Sequence, residues 1–592
     1  MKQETPYVGT EDFEELRNNN DIFIDKTEFL SQLFGERFLT NEKTYKDKVL
    51  LFTRPRRFGK TLTMSMIKNF FELNYADPKD KSETEKLFNN LVIMKDKSFC
   101  ERHMGEYPVI CISLKGVSGA DYIEALTSLF NIIGDLYKDF EFLKDLNLAS
   151  EDYSKLSRII KLAKDGNTIK FSDPDVMNNV VLLVKSSLRD LTSYLYSVYK
   201  RKTIVIVDEY DVPLQKAQAG GYYNNMLNVL RGMFESVFKT NNYLERGFVT
   251  GCLRISHESI FTGINNFSIY TTNDEAYNSF IGFTHDETVQ LLKNENLSLR
   301  ENDVMEWYDG YNFAGARMLC PWSVLNFCTE ARESSDPVNF APHNYWVNSS
   351  GNDIVDICIT KPNAKDSMRL QNLLKGDSEI IKETEFTSYP EISIKTGFDI
   401  MMGMMLHTGY LTVKSVRENG DLEVKIPNKE ITDCFRKRIE LLFSDNNTQW
   451  FEKAESLKNA LFKNGKDEVQ ALINELLINF VSVRNTANES YYHGFLAGIL
   501  SITLDENTEI KSDKESGTGF SDLIIVTDSK KISIIIEFKK LEKGENFDDV
   551  CSEALKQIED KRYAYPYEQK GYTIIKYGIG FLGKECMVKS AS

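Results

Sequence analysis

Residues 51–61 read Leu-Phe-Thr-Arg-Pro-Arg-Arg-Phe-Gly-Lys-Thr, and the closing Gly59-Lys60-Thr61 carries the residue types that hold a triphosphate. Lysine supplies a point charge, the threonine hydroxyl a ligand for Mg²⁺, and the helix that follows the positive end of its dipole. Toward the other end of the chain, Asp522 precedes Glu537-Phe538-Lys539, which closes an apolar run. Two carboxylates and an ammonium group meeting at one point suit metal-assisted phosphodiester cleavage. The spacing therefore sets out two phosphate chemistries, nucleotide binding around Lys60 and nucleic-acid cutting around Glu537.

The usual phosphate loop is Gly-x4-Gly-Lys-Ser/Thr, entered from a strand and continued by a helix. Gly59 is its second glycine, and Arg54 stands where the first belongs. The departure matters because the loop turns backbone N–H groups toward phosphate oxygens, and Pro55 contributes none. Arg54, Arg56 and Arg57 offer guanidinium groups that compensate in part. The context fits: residues 49–52 read as the entering strand, and residues 61–71 as a helix with apolar Leu62, Met66, Ile67 and Phe70.

A nucleotide site also needs an apolar strand ending in acid. Residues 203–209, Thr-Ile-Val-Ile-Val-Asp-Glu, supply it. Asp208 would help hold Mg²⁺ together with Thr61, and Glu209 would orient or deprotonate the attacking water. A further strand over 246–251 presents Thr250 as a sensor of the terminal phosphate. Arg254 follows, either as an arginine finger or as an ordinary ion-pair residue. Gly-Lys-Thr alone could be a chance loop, and Val-Asp-Glu alone a buried strand meeting a turn. Both together, in the expected order, favour the nucleotide reading.

In the C-terminal segment, Asp522 opens one strand, residues 528–530 turn, and residues 532–539 return. Glu537 and Lys539 are two apart, so they share one strand face, and Asp522 can lie beside them across the hairpin. Asp522 and Glu537 would hold the metal, and Lys539 would align or activate water. Glu489 and His493 lie one helical turn apart upstream. Glu489 could add a metal-side acid, although a structural role for either residue is the plainer reading. Gln557 and Tyr563 could touch substrate phosphate, but a solvated helix face is the plainer expectation for both. Asp…Glu-x-Lys is a weak motif by itself, and its apolar strand context strengthens it.

These residues need elements to position them. At 592 residues the chain is too long for one core and predicts three or four domains. The fold class expected is α/β. Residues 1–280 read as a P-loop core with strands at 49–52, 108–113, 203–208 and 246–250, and residues 149–176 as a polar insertion. Residues 281–375 read as a helical lid, with Thr284 and Glu287 at capping-box spacing. Residues 376–450 read as a connector and a helix followed by an Asn-Gly hairpin. That order fits a winged-helix-like element, while a packing domain that never touches DNA carries more weight. Residues 451–592 read as a restriction-endonuclease-like α/β domain.

Composition narrows the classes. The opening Met-Lys-Gln-Glu-Thr-Pro has no apolar signal segment, and the apolar runs are too short to span a bilayer, so no membrane partner is expected. Nine cysteines without a Cys-x-x-Cys pair point away from zinc or a disulfide framework and toward a cytoplasmic protein. A net charge of −16 argues against a DNA-coating protein and leaves local Lys/Arg patches free to bind a backbone. Oligomerisation stays open.

Asp25-Lys26-Thr27, the loop from Arg54 to Thr61, and Val207-Asp208-Glu209-Tyr210-Asp211 resemble the predicted AAA-ATPase-like family. The tail from about Glu489 resembles the PD-(D/E)XK nuclease domain usually fused to it. Residues 307–310, Pro321-Trp322-Ser323 and Ile426-Pro427-Asn428-Lys429-Glu430 extend the resemblance over nearly the whole chain. The arginine-rich loop without the first glycine is similar to that family's own pattern. The resemblance implies ATP, Mg²⁺ and DNA cleavage, with defence against foreign DNA as the biological expectation. The alternatives are an ATP-dependent switch whose C-terminal domain binds a partner or DNA without cutting, and an ATPase with a degenerate DNA-binding module.

Overall fold

The computed structural model describes residues 9–19, 21–36, 38–39, 47–146, 148–164, 173–253, 260–261, 266–337, 339–346, 369, 372–374, 376–382, 398–435, 448–480, 496, 500, 508–516, 519–541 and 544–591. The chain divides into two compact units, residues 1–350 with 378–431, and residues 351–377 with 432–592.

The first unit is built on a parallel sheet. Apolar runs bounded by polar turns form β1 (Val49–Thr53), β2 (Val109–Ser113), β3 (Thr203–Asp208), β4 (Leu244–Gly251) and β5 (Phe267–Tyr270). They pair in the order β2-β3-β4-β1-β5, every pair parallel. β1 and β3 are buried at every position, as strands covered on both faces must be. Because β4 separates β1 from β3, the C-terminal ends of three strands lie side by side. The helix Lys60–Phe71 starts from one of them.

Part of the polar stretch over 149–176, residues 150–164, is described as a helix. The helix Ser150–Lys164 buries Leu156, Ile159 and Ile160 in the sheet's own core, beside Leu129 and Ile133 of the helix Tyr122–Asp139. Its polar residues outnumber its apolar ones, but the apolar residues recur at helical spacing and form one inward stripe.

Beyond the sheet, β6 (Phe283–Thr284), β7 (Asp309–Phe313) and β8 (Ala316–Leu319) form a small antiparallel sheet in the order β6-β8-β7. The helices His285–Asn294, Glu301–Tyr308 and Pro321–Glu333 surround it. Thr284 and Glu287 make the reciprocal capping box that starts the first of these. The helix Phe398–Thr408 precedes the Asn-Gly hairpin. The hairpin strands β10 (Thr412–Val416) and β11 (Leu422–Lys425) are joined by β9 (Glu379–Ile381) in the order β10-β11-β9. Tyr311 Oη donates to the Gly409 carbonyl at 2.9 Å, and Asn312 N to Thr412 Oγ1 at 2.8 Å, which ties the hairpin to β7.

The second unit carries β12 (Thr508–Ser516), β13 (Gly519–Thr527), β14 (Ile532–Lys540), β15 (Thr573–Leu582) and β16 (Glu585–Ala591) in sequential order. Only β14 and β15 pair parallel, because the helix Phe547–Asp560 crosses between them. The two-residue period of β14 divides its side chains. Ile534, Ile536 and Phe538 face a core shared with the helices Thr448–Phe462 and Lys466–Phe480, and Ile535 faces Ile558 and Tyr563. Burying each such isoleucine contributes about 1.5–3 kcal/mol. Among the described residues, no helix is long and apolar enough to cross a membrane.

Candidate functional site

The first site forms where β1, β3 and β4 end. Thr61, in the first turn of its helix, donates to Asp208 Oδ2 at 2.8 Å. Thr250, near the end of β4, donates to the other oxygen, Asp208 Oδ1. Asp208 is 2% exposed, and burial pushes its carboxyl up, with the Glu209 charge adding to the shift. The two threonine hydroxyls and Lys60 pull it back. Glu209 sits in the left-handed region at φ +53° and pairs with Lys60 Nζ at 3.5 Å. A left-handed glutamate stores about 1–3 kcal/mol of strain, a cost found where a side chain must be aimed.

Lys60 is 4% exposed, and its Nζ donates to the Arg54 and Pro55 carbonyls, each at 3.2 Å, and to Cys252 Sγ at 3.3 Å. Burial alone would lower this ammonium, but Cys252, Glu209, Asp208 and Asp211 around it outweigh burial and raise it. The group is thus a fixed positive charge held over its own loop.

The loop's three arginines take three different places. Arg54 is fully buried, and its guanidinium donates to the carbonyls of Thr53, Tyr270 and Tyr277 at 2.9, 3.1 and 2.8 Å. Where a phosphate ligand is expected, Arg54 is an internal strut: the carbonyls ending β1 (Thr53) and β5 (Tyr270), with that of Tyr277 beyond β5, take up its guanidinium. Arg56 donates to Gln215 Oε1 at 3.2 Å and lies close to Cys252, Asp211 and Glu209. Arg57 places its guanidinium 4.2 Å from the ring centre of Trp322. The left-handed turns of the loop fall at Arg57 (φ +68°) and Gly59 (φ +87°), not at position 54.

The second site lies on the β13–β14 hairpin. The Asp522 carboxylate accepts from Phe538 N at 2.7 Å, and Asp522 N donates to Glu537 Oε2 at 3.4 Å. Glu537 is 2% exposed, and its Oε1 accepts from Gln557 Nε2. Gln557 Nε2 lies 3.4 Å from Tyr563 Oη, and Tyr563 is 1% exposed. Lys539 follows Glu537 by two on β14 and is half-buried. The helix bearing Gln557 comes this close because β15 offers Gly578 opposite Glu537. A Cβ on Gly578 would meet the Cys551 carbonyl at 2.4 Å.

Residues 7–261 match the family described as Predicted AAA-ATPase, and residues 487–591 match the PD-(D/E)XK nuclease superfamily. The chain joins an AAA-ATPase-like domain to a PD-(D/E)XK nuclease-superfamily domain. An uncharacterized protein from the vnfD 5'region of Azotobacter chroococcum mcd 1 is 21% identical over 581 residues, 97% of this chain and 96% of that protein.

In the AAA-ATPase-like domain, sequence reasoning missed Asp211 as a site residue. Its Oδ2 accepts from Cys252 N at 3.1 Å and Leu253 N at 2.9 Å, while Tyr210 Oη donates to the Leu253 carbonyl at 2.7 Å. Together they grip the turn after β4. Burial pushes the Asp211 carboxyl up to about 6, with the Glu209 charge adding to it. The signal was present as the second acid of Asp208-Glu209-Tyr210-Asp211. In the nuclease-superfamily domain, Gln557 reaches Glu537 and the buried Tyr563 lies against Gln557, against the expectation of a solvated face. Arg254, Glu489 and His493 lie outside the described residues.

The donors fit a hard divalent cation at both places, since Thr61 with Asp208, and Asp522 with Glu537, present only oxygen. Among the described residues, no group of three or more His, Cys, Asp or Glu side chains is placed to hold a metal ion.

Proposed function

We propose that the chain binds and hydrolyses ATP with Mg²⁺ at its N-terminal site and couples this to metal-dependent cutting of nucleic acid, with DNA as the substrate expected. The observation that carries the reading is the meeting of Thr61, Asp208 and Thr250, from three separate elements, beside a buried Lys60. Lys60 neutralises phosphate charge, Thr61 and Asp208 are the residues that would hold Mg²⁺, and Thr250 senses the terminal phosphate. Glu209, aimed by its left-handed backbone, orients the attacking water. Arg56 and Arg57 supply further positive charge along the loop. A bound cation supplies charge neutralisation at the phosphates in both sites. At the second site Asp522 and Glu537 would hold it, Lys539 aligns water, and Gln557 fixes the Glu537 carboxylate. Defence against foreign DNA is the biological role this pairing suggests.

One observation favours a second reading, an ATP-dependent switch whose C-terminal domain binds DNA or a partner without cutting. Glu537 is almost fully buried and its two oxygens already accept from protein donors. Cleavage of single- and double-stranded DNA with Mg²⁺, with and without ATP, separates the two. Cutting that disappears in Glu537→Ala and responds to ATP supports the coupled enzyme. ATP turnover without cutting of any substrate supports the switch.

A further inference from the structure

Three sequence motifs have no role in either chemistry: residues 307–310, Pro321-Trp322-Ser323, and Ile426-Pro427-Asn428-Lys429-Glu430. All lie in the first unit, and the fold brings them together. Glu430 is 1% exposed; its Oε2 accepts from Ser323 Oγ at 2.7 Å, and its Oε1 from Tyr345 N at 2.8 Å. The Tyr345 carbonyl in turn accepts from Trp322 Nε1 at 3.2 Å. Glu430, Ser323, Trp322 and Tyr345 thus form a closed ring of bonds that fixes the indole. On that indole lies the guanidinium of Arg57, and Cys320 Sγ approaches the Arg57 carbonyl at 3.5 Å. A guanidinium stacks through its face and binds phosphate through its N–H edge, so one arginine can do both at once.

A second route runs in parallel. Phe58, the next residue of the phosphate loop, packs against Tyr311 and Phe313 of β7 with ring centres 5.0 and 5.2 Å apart. β7 also carries Gly310 (φ +125°), where a Cβ would sit 2.0 Å from the Pro427 carbonyl. Both routes end on residues 426–431, and the chain passes from the first unit to the second directly after Ile431.

We infer that Ser323, Tyr345 and Glu430 are positioning residues for the nucleotide site, holding Trp322 beneath Arg57, and that through them nucleotide occupancy is transmitted to residues 426–431 where the chain leaves the first unit. The inference rests on the nucleotide reading given above. A hydrogen-bonded ring with no slack, abutting a close-packed glycine contact, shifts as a block and not by gradual deformation.

The test uses the full-length protein. Hydrogen exchange over residues 426–435 is followed with and without a non-hydrolysable ATP analogue and Mg²⁺, with the analogue's affinity measured by calorimetry. The parent is compared with Ser323→Ala, and with Trp322→Phe, which keeps an aromatic face but drops the bond to Tyr345. The expected result is a nucleotide-induced change in exchange over 426–435 in the parent. Ser323→Ala should bind the analogue more weakly and, at saturating analogue, lose at least half of the induced change. Trp322→Phe carries the same comparison if Ser323→Ala does not fold. Binding with no change over 426–435, or the full change kept in the variants, overturns the transmission while sparing the nucleotide reading. No binding by the parent overturns both.

Discussion

The two sites are assembled over very different spans of chain. Thr61 and Asp208 are 147 residues apart, and Asp208 and Thr250 are 42 apart, so the first site exists only once the parallel sheet has taken its order. Asp522 and Glu537 are 15 residues apart across one hairpin, and Gln557 is 20 further on. The distant site is held by the core of a whole unit, and its side chains have partners from several elements. The local site is held by strand register. A one-residue slip of β13 on β14 would send Asp522 to the opposite face from Glu537. A hairpin site is quick to read from spacing but weakly specified by it. A sheet-end site is hard to read but strongly determined once its strands are recognised.

The comparison is sharpened most by single changes at the chemistry. Glu209→Gln should lower ATP turnover by about 10²–10⁴-fold while nucleotide binding persists, read by phosphate release and calorimetry. Glu537→Ala should lower cleavage by about a hundredfold or more and leave ATP turnover intact, since it touches only the hairpin site. If Glu537→Ala reduced both activities, the two sites would not be separable in this way.

A smaller effect tests the packing beside the distant site. Gly310→Ala places a Cβ 2.0 Å from the Pro427 carbonyl at a left-handed position, and should destabilise the first unit by about 1–3 kcal/mol. The thermal midpoint reads this, and an unchanged midpoint would show that β7 and residues 426–430 can part freely. Thr284→Ala removes one half of a capping box and should cost about 1 kcal/mol by the same measurement.

The last test is a pH dependence. Burial holds the folded Asp211 carboxyl near 6, above the unfolded value of about 3.9. The native state therefore binds the extra proton between these values. The stability this contributes is full below about pH 4 and is lost as pH rises through 6. Asp211→Asn lacks the titration, so the parent's midpoint minus the variant's should fall from pH 4 to pH 7. A flat or rising difference would place the Asp211 carboxyl in water rather than inside the clamp on Cys252 and Leu253.

Much of the scaffold was legible from local pattern. The apolar runs over 49–52, 203–208 and 532–539, the helix after Gly59, the Thr284 cap and the Asn-Gly hairpin all form where periodicity and turn chemistry put them. The misreadings share a cause. Arg54 is expected at phosphate because guanidinium groups bind it, but the carbonyls of Thr53, Tyr270 and Tyr277 take its guanidinium. A solvated face is the expectation for Gln557 and Tyr563 because the segment around them is polar, yet β15 returns parallel to β14 and lays the helix Phe547–Asp560, with Tyr563 in the turn after it, over Glu537. The polar stretch over 149–176 hid a three-residue apolar stripe that only a neighbouring helix could bury.

By itself, the sequence determined which segments become strands and helices, and which side chains can carry phosphate chemistry. Those are properties of residue type and of spacings of a few residues, set by backbone sterics and side-chain periodicity. The tertiary structure alone decided that Arg54 becomes a buried strut while Arg57 lies on Trp322, which acids lie close together, and that residues 307–310, 321–323 and 426–430 meet beside the loop that precedes Lys60. Such pairings depend on strand order and on close contacts between distant segments, and burial then fixes the partners, because a buried charge or hydroxyl must find one.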